Sequence, residues 1–478
     1  MPDPLSLLPL AVAAGGGRVD AFEAQQLVAA GLTLLQRSAP LVRALAGRRA
    51  AILLPTSQQY VTALAASEGR GAVLVNPLAA PAEIAYQLAD ANVGAVFTNA
   101  ALARHLPAGT PMVLLDEAPR SARVVVAGAS SDVDLGAHFG LPLEGESGVA
   151  GSREEGAIVY TSAMAGTPLG AILTHRNLIA NARSTIEAAG LSSADHSLAV
   201  LPFSHLFGLT VTGTAPLLAG ARVTTMERFH PLKAVELLET LGITLLVGVP
   251  AVFGVLLSAL ERRGGRLRSE ALRLCICGGA VLPADLQDRW LDATGVELRQ
   301  GYGLTEAAPV CLFNRVALPN RRGTLGVPFP RVEVEIRDPR GDRVLAAGEE
   351  GEICVRGDNV SPGYVRSGEQ GLAVRDGWLR TGDLGVLNAD GSVTFRGLLK
   401  PMFTRNGFNI YPRELERVVG AMPGVRAAHV RALPDPVREH DIALDVSGDV
   451  TADEVKDWCE ARLSAYKQPS AVRILGGA

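Results

Sequence analysis

The 478-residue sequence predicts an α/β protein. A large N-terminal domain of parallel-sheet α/β subdomains carries a small β-rich subdomain and is followed by a small α+β C-terminal domain. Three observations lead there. Apolar runs of four to six residues alternate with longer amphipathic segments from Ala50 to about Val310, the pattern of parallel strands joined by helices. Past residue 320 the texture changes to short β-like runs separated by glycine turns, and from Pro401 onward a compact tail mixes both periods. The chain is also too long for one ordinary core, so two or three domains are expected.

Taken in order, a helical Gln58 to Glu68 leads into the strand Gly71 to Val75, and a helical Glu83 to Ala91 leads into Ala95-Val96-Phe97. Ser121 to Arg153 reads as the loosest segment, and Ala157-Ile158-Val159 as a strand. Leu241 to Leu260 contains no charge and has the length of a membrane span, but Pro250 divides it. Ile243 to Val247 then reads as a buried strand and Ala251 to Leu260 as a helix with Pro250 in its first turn. Val332 to Ile336, Gly351 to Val355 and Ser392 to Phe395 supply the β-rich subdomain. Helices over Pro412 to Met422 and Ala452 to Leu463 belong to the tail.

Hydrophobic content of 48% and charged content of 20% describe a folded chain. With 45 basic against 49 acidic residues the net charge is −4, which argues against a nucleic-acid surface. Lysine occurs only at 233, 400, 456 and 467, so arginine carries nearly all the positive charge, a usage expected of a GC-rich bacterial genome. The five cysteines are scattered without paired metal-ligand spacing and read as buried thiols in a reducing compartment. No structural metal, transmembrane segment or basic secretory leader is expected, which gives a cytoplasmic location.

Three runs carry chemistry. Tyr160-Thr161-Ser162-Ala163-Met164-Ala165-Gly166-Thr167-Pro168-Leu169-Gly170 is a small, hydroxyl-bearing turn between apolar runs, a backbone able to wrap a phosphate. Gly301-Tyr302-Gly303-Leu304-Thr305-Glu306 sets an aromatic face beside a hydroxyl and a carboxylate. Thr381-Gly382-Asp383 places a carboxylate after a glycine turn, suited to a ribose diol. Together they read as one nucleotide site.

In this order the runs resemble those of the acyl-adenylate-forming superfamily of acyl-CoA synthetases, aryl-CoA ligases, luciferases and peptide-synthetase adenylation domains. The resemblance extends over nearly the whole chain. Ala51 to Pro55 is similar to the family's first core strand, Gly278-Gly279-Ala280 to its adenine-side turn, and Gly351 to Gly357 with Pro362-Gly363-Tyr364 follows in place. Asn406 to Glu416 is most similar to the version in fatty acyl-CoA ligases.

The resemblance implies ATP-dependent activation of a carboxylic acid and transfer to a thiol, either CoA or a carrier-protein phosphopantetheine. Thr161, Ser162, Ala163, Gly166 and Thr167 would hold phosphates, Thr305 would touch the α-phosphate, and Glu306 would hold Mg²⁺. Thr305 and Glu306 also fit a helix N-cap with an acid in its first turn. Tyr302 would stack on adenine, Asp383 would hold the ribose, and Gly407 would flank the pantetheine channel. His205, in Leu201 to Gly208, falls where acyl- and aryl-CoA ligases carry histidine and adenylation domains of peptide synthetases carry aspartate. With no carboxylate from Leu198 to Leu217, a neutral fatty or aryl acid is expected beside Phe207, Gly303 and Leu304. Residues 1–396 would form the large domain, 397–400 a hinge and 401–478 a mobile lid; Lys400 takes the hinge position, and an exposed lysine in a turn fits it equally.

Departures from the family bear on rate. Leu169 and Leu398 stand where lysine and arginine are usual, and the sequence stops at Ala478 before a terminal glycine-lysine loop. Lys467 aligns with an upstream lysine that is not the catalytic one. Slow adenylation is therefore expected, with three alternatives open: an impaired relative that binds nucleotide or acyl ligand as a partner subunit, a protein performing only the thioester step, or a partner chain supplying the lysine.

Overall fold

The computed structural model describes residues 7–67, 71–136, 155–161, 168–366, 372–399, 402–435 and 437–475. Of the expected site residues, Ser162, Ala163, Gly166, Thr167 and Lys400 lie outside them.

Two nine-stranded sheets form the large domain among the described residues. In the first, Glu155–Thr161, Ala72–Leu74, Arg49–Ile52, Val93–Thr98 and Met112–Leu114 run parallel, with antiparallel strands added at both edges. In the second the parallel strands are Leu298–Gly303, Leu274–Cys277, Leu245–Gly248, His196–Ala199, Arg222–Thr225 and the short Arg18–Val19. Buried on both faces, Leu245–Gly248 and Leu274–Cys277 read as apolar runs rather than alternating ones. Helix Pro250–Glu261 begins at Pro250, whose missing N–H costs nothing in a first turn. Among the described residues no helix is long and apolar enough to cross a membrane.

The β-rich subdomain is an antiparallel sheet of Val332–Arg337, Glu350–Gly357, Trp378–Leu387, Val374–Arg375 and Val393–Leu398. The C-terminal domain has its own apolar core, from Phe403 and Ile410 through Leu415, Val430 and Ile442 to Leu463. Two helices, Pro412–Gly420 and Ala452–Glu460, pack there with the three-stranded sheet Val425–Asp435, Glu439–Gly448 and Ala471–Leu475. All five cysteines are buried and unpaired.

Two expectations need correction. Of the segment 121–153, read as the loosest, residues 137–153 lie outside the described residues, while Ser121–Val126 and Ala129–Asp134 form an antiparallel hairpin. Its turn is Ala127-Gly128 with both residues at positive φ, which right-handed strand twist favours, but Ala-Gly lacks the Asn-Gly or Asp-Gly signature. The tail helices also stop two and three residues early, at Gly420 and Glu460.

Candidate active site

In a parallel sheet, loops leaving the carboxyl ends of adjacent strands converge on one crevice. Gly278-Gly279-Ala280 follows Leu274–Cys277, and Leu304 to Glu306 follows Leu298–Gly303. The segment bearing His205 follows His196–Ala199 and turns into a wide π-helical stretch, Phe207–Thr214. The loops close on a cavity of about 1050 Å³ that the β-rich subdomain and the C-terminal domain complete. Thr161, His205, Gly278, Gly279, Ala280, Tyr302, Thr305, Glu306, Asp383 and Gly407 all line it.

The polar end of the cavity is built around Asp383. Tyr302 donates its hydroxyl to Asp383 Oδ2 at 2.5 Å. Burial, and then the Asp383 charge, push the Tyr302 phenol well above its ordinary pKa, so it stays a donor. The backbone that carries the carboxylate is held in turn: the Asp383 N–H donates to Thr381 Oγ1 at 3.1 Å, and Asp383 pairs with Leu398 in the neighbouring strand. Glu352, 5% exposed, braces this turn by accepting from the Gly382 N–H at 2.8 Å and from Arg380 Nε at 2.7 Å.

Glu306 sits in a single 3₁₀ turn, Thr305–Ala307, rather than an N-capped α-helix. Leu304 occupies the capping position and offers no acceptor, while Ala308 and Pro309 end the turn at once. Gly303 is required there, since a Cβ would stand 1.9 Å from the Pro309 carbonyl oxygen. Glu306 Oε1 accepts from the Tyr364 hydroxyl at 2.9 Å and lies 3.4 Å from Thr161 Oγ1. Burial and the Glu306 charge raise the Tyr364 pKa, which keeps that donor protonated. Among the described residues no three His, Cys, Asp or Glu side chains converge as a metal cage. A lone carboxylate flanked by hydroxyls suits Mg²⁺, which keeps waters and takes phosphate oxygens.

His205 lines the same cavity, and its ring is exposed there. Its Nδ1 accepts the Phe207 N–H at 3.2 Å, which leaves the proton on Nε2. The protein around the cavity disfavours the charged ring and lowers its pKa, so His205 is neutral at pH 7. Phe207, Val211, Ile276, Phe313 and Phe329 supply apolar wall.

From the C-terminal domain comes Gly407, at φ +76, where a Cβ would stand 2.6 Å from Val249 Cγ1. A second cavity of about 420 Å³ adjoins the first, and Thr161, His205, Thr305 and Asn409 line both. Leu169 and Leu398, the two apolar departures, are on the wall of the larger cavity.

Two residues of the site, Tyr364 and Glu352, are not among those the sequence points to. An aromatic hydroxyl following Pro-Gly was the available signal for Tyr364. Glu352 reads as one more strand residue until the sheet brings it beside Gly382.

The loops at the carboxyl edge of the parallel sheet thus set a polar end and an apolar wall in one cavity. The AMP-binding enzyme family profile matches residues 40–365. A feruloyl-CoA synthase from Amycolatopsis sp is 34% identical over 436 residues, 90% of this chain and 85% of that protein. A long-chain-fatty-acid–CoA ligase from Bacillus subtilis (strain 168) is 31% identical over 321 residues, covering 65% of this chain and 57% of that one. A malonyl-CoA ligase, solved with methylmalonyl-CoA and AMP bound, superposes with a TM-score of 0.79 at 26% identity, covering 100% of both chains. The chain belongs to the AMP-binding enzyme family. It is an acid–thiol ligase of the acyl-CoA ligase kind.

Proposed function

We propose that the chain condenses an uncharged aryl or fatty acid with ATP to an acyl-AMP and passes the acyl group to CoA. One observation carries the choice of acid. The segment bearing His205, Leu198 to Leu217, holds no carboxylate, and Phe207, Val211, Ile276, Phe313 and Phe329 form the cavity wall beside it. A substrate ammonium would be buried without a counter-ion. A feruloyl-CoA synthase among the relatives agrees with an aryl acid.

In the first step a carboxylate oxygen attacks the α-phosphorus of ATP and pyrophosphate leaves. Asp383 would hold the ribose diol beside the Tyr302 ring. Thr161 and Thr305 would donate to phosphate oxygens, and neutral His205 would donate from Nε2 to the acyl carboxylate. Glu306 would hold Mg²⁺, which neutralises phosphate charge when bound. In the second step the thiol sulfur attacks the acyl carbon and the bond to AMP breaks, with AMP keeping the electron pair. Residues 401–478 would turn about 397–400 between the steps, bringing Gly407 to the thiol's path.

Purified protein with ATP, Mg²⁺ and CoA should release AMP and pyrophosphate with ferulate, 4-coumarate or octanoate, and not with glycine or phenylalanine. An amino acid outperforming these acids would overturn the assignment. Replacing CoA by a phosphopantetheinylated carrier protein distinguishes the two acceptors. Leu169 and Leu398 on the cavity wall favour a second reading, in which adenylation is slow and prepared acyl-AMP is converted faster than free acid plus ATP.

A further inference from the structure

Lys467 is gripped from two domains. Its Nζ donates to Glu414 Oε1 at 2.6 Å and to Glu83 Oε1 at 2.9 Å. Glu414 lies on helix Pro412–Gly420 of the C-terminal domain, whereas Glu83 lies on helix Pro81–Asp90, packed on the first sheet. Ser464 reinforces the crossing: its N–H donates to Glu83 Oε2 at 3.1 Å and its hydroxyl donates to the same oxygen. The side chains of Lys467, Glu83 and Glu414 are only 7%, 13% and 4% exposed.

The asymmetry matters. Lys467 and Glu414 belong to one domain and stay paired wherever it goes. Glu83 is tied to its own helix, accepting the Ala80 N–H at 2.9 Å, and cannot follow. The three contacts from Ser464 and Lys467 therefore exist in one relative orientation of the domains. In that orientation the Gly407 turn packs on Val249, and its carbonyl oxygen lies 3.9 Å from where a Cβ on Gly279 would stand.

We infer that Glu83, Ser464 and Lys467 form a latch that holds the C-terminal domain with Gly407 over the cavity, which makes Glu83 a positioning residue for thiol transfer and not for adenylation. The inference rests on the acid–thiol ligase reading and on the rotation proposed with it. Burial opposes the Lys467 charge, and Tyr466, Glu414 and Glu83 outweigh it, so the ammonium persists at any working pH.

Glu83→Gln in the full chain keeps side-chain size and an acceptor for Ala80 while removing the charge. Amide exchange should quicken about tenfold or more at Ser464 and at 406–410. Acyl-AMP plus CoA should be converted about tenfold more slowly, while acid-dependent ATP–pyrophosphate exchange stays within about twofold. Ser464→Ala should move in the same direction by less. Unchanged amide exchange overturns the latch, and so does an equal fall in both half-reactions, which marks a weakened helix start. If the wild type uses neither acid nor acyl-AMP, the ligase reading fails while amide exchange still decides the latch.

Discussion

Replacing Asp383 by alanine tests the nucleotide end of the cavity directly. The carboxylate has one oxygen engaged by Tyr302 at 2.5 Å and its backbone is fixed by Thr381 and by its strand, so it would meet a ribose diol without rearranging. Hydrogen bonds to a charged acceptor contribute about 1.5–3 kcal/mol. Asp383→Ala should therefore weaken AMP binding by about 10- to 150-fold, read by titration calorimetry. Asp383→Asn keeps an acceptor for Tyr302 but loses the charge and should fall between. Tyr302→Phe separates the two partners: it removes the brace and spares the diol's acceptor, so its loss should stay below about threefold. An affinity for Asp383→Ala within about twofold of wild type would refute the assignment, as would Tyr302→Phe losing as much as Asp383→Ala.

Leu169→Lys restores a cation to the cavity wall opposite Thr161, and should raise pyrophosphate exchange about tenfold or more while leaving thiol transfer from acyl-AMP unchanged; equal rates before and after would mean another group already serves. His175 gives a pH signature. Its Nδ1 accepts the Leu8 N–H at 3.1 Å, its ring is 2% exposed, and burial lowers its pKa from 6.5 to about 4. The folded state then binds fewer protons than the unfolded one between those values, so stability is full above pH 6.5 and falls by up to about 3 kcal/mol as pH drops to 4. His175→Asn should flatten that limb in denaturant titrations at several pH values; an unchanged slope would show that His175 does not set it.

What the sequence made legible was whatever local pattern dictates. Leu245–Gly248 and the helix from Pro250 were readable because a buried strand is continuously apolar and proline is tolerated only in a first turn. Asp383, Tyr302 and Glu306 were readable as types in a sequence order, and the fold confirms that one cavity gathers them. The partners were not. Tyr364 reaches Glu306 because its two-residue strand pairs with Leu169–Thr174, a register that nothing near residue 364 announces. Glu352 reaches Gly382 across an antiparallel ladder, and Glu83 meets Lys467 across 384 residues of chain. Long-range pairing decides these contacts, and a single sequence carries no trace of it.

The placement of the site residues also sorts the two chemical steps. Thr161, His205, Tyr302, Thr305, Glu306 and Asp383 all belong to the large domain, on strands or on the loops that follow them. Gly407 and Arg413 reach the same cavity from the C-terminal domain. On the proposed roles, a nucleotide held through the first set would have its ribose and phosphate partners on one body, and the C-terminal domain could turn without dismantling them. Acyl-AMP would then stay in place while the thiol's path is assembled over it. This separation fixes a relation between variants: releasing the latch with Glu83→Gln should leave AMP affinity within about twofold of wild type even where thiol transfer falls tenfold. A matching loss of AMP affinity would mean that the C-terminal domain itself holds the nucleotide, and acyl-AMP could then not outlast its rotation.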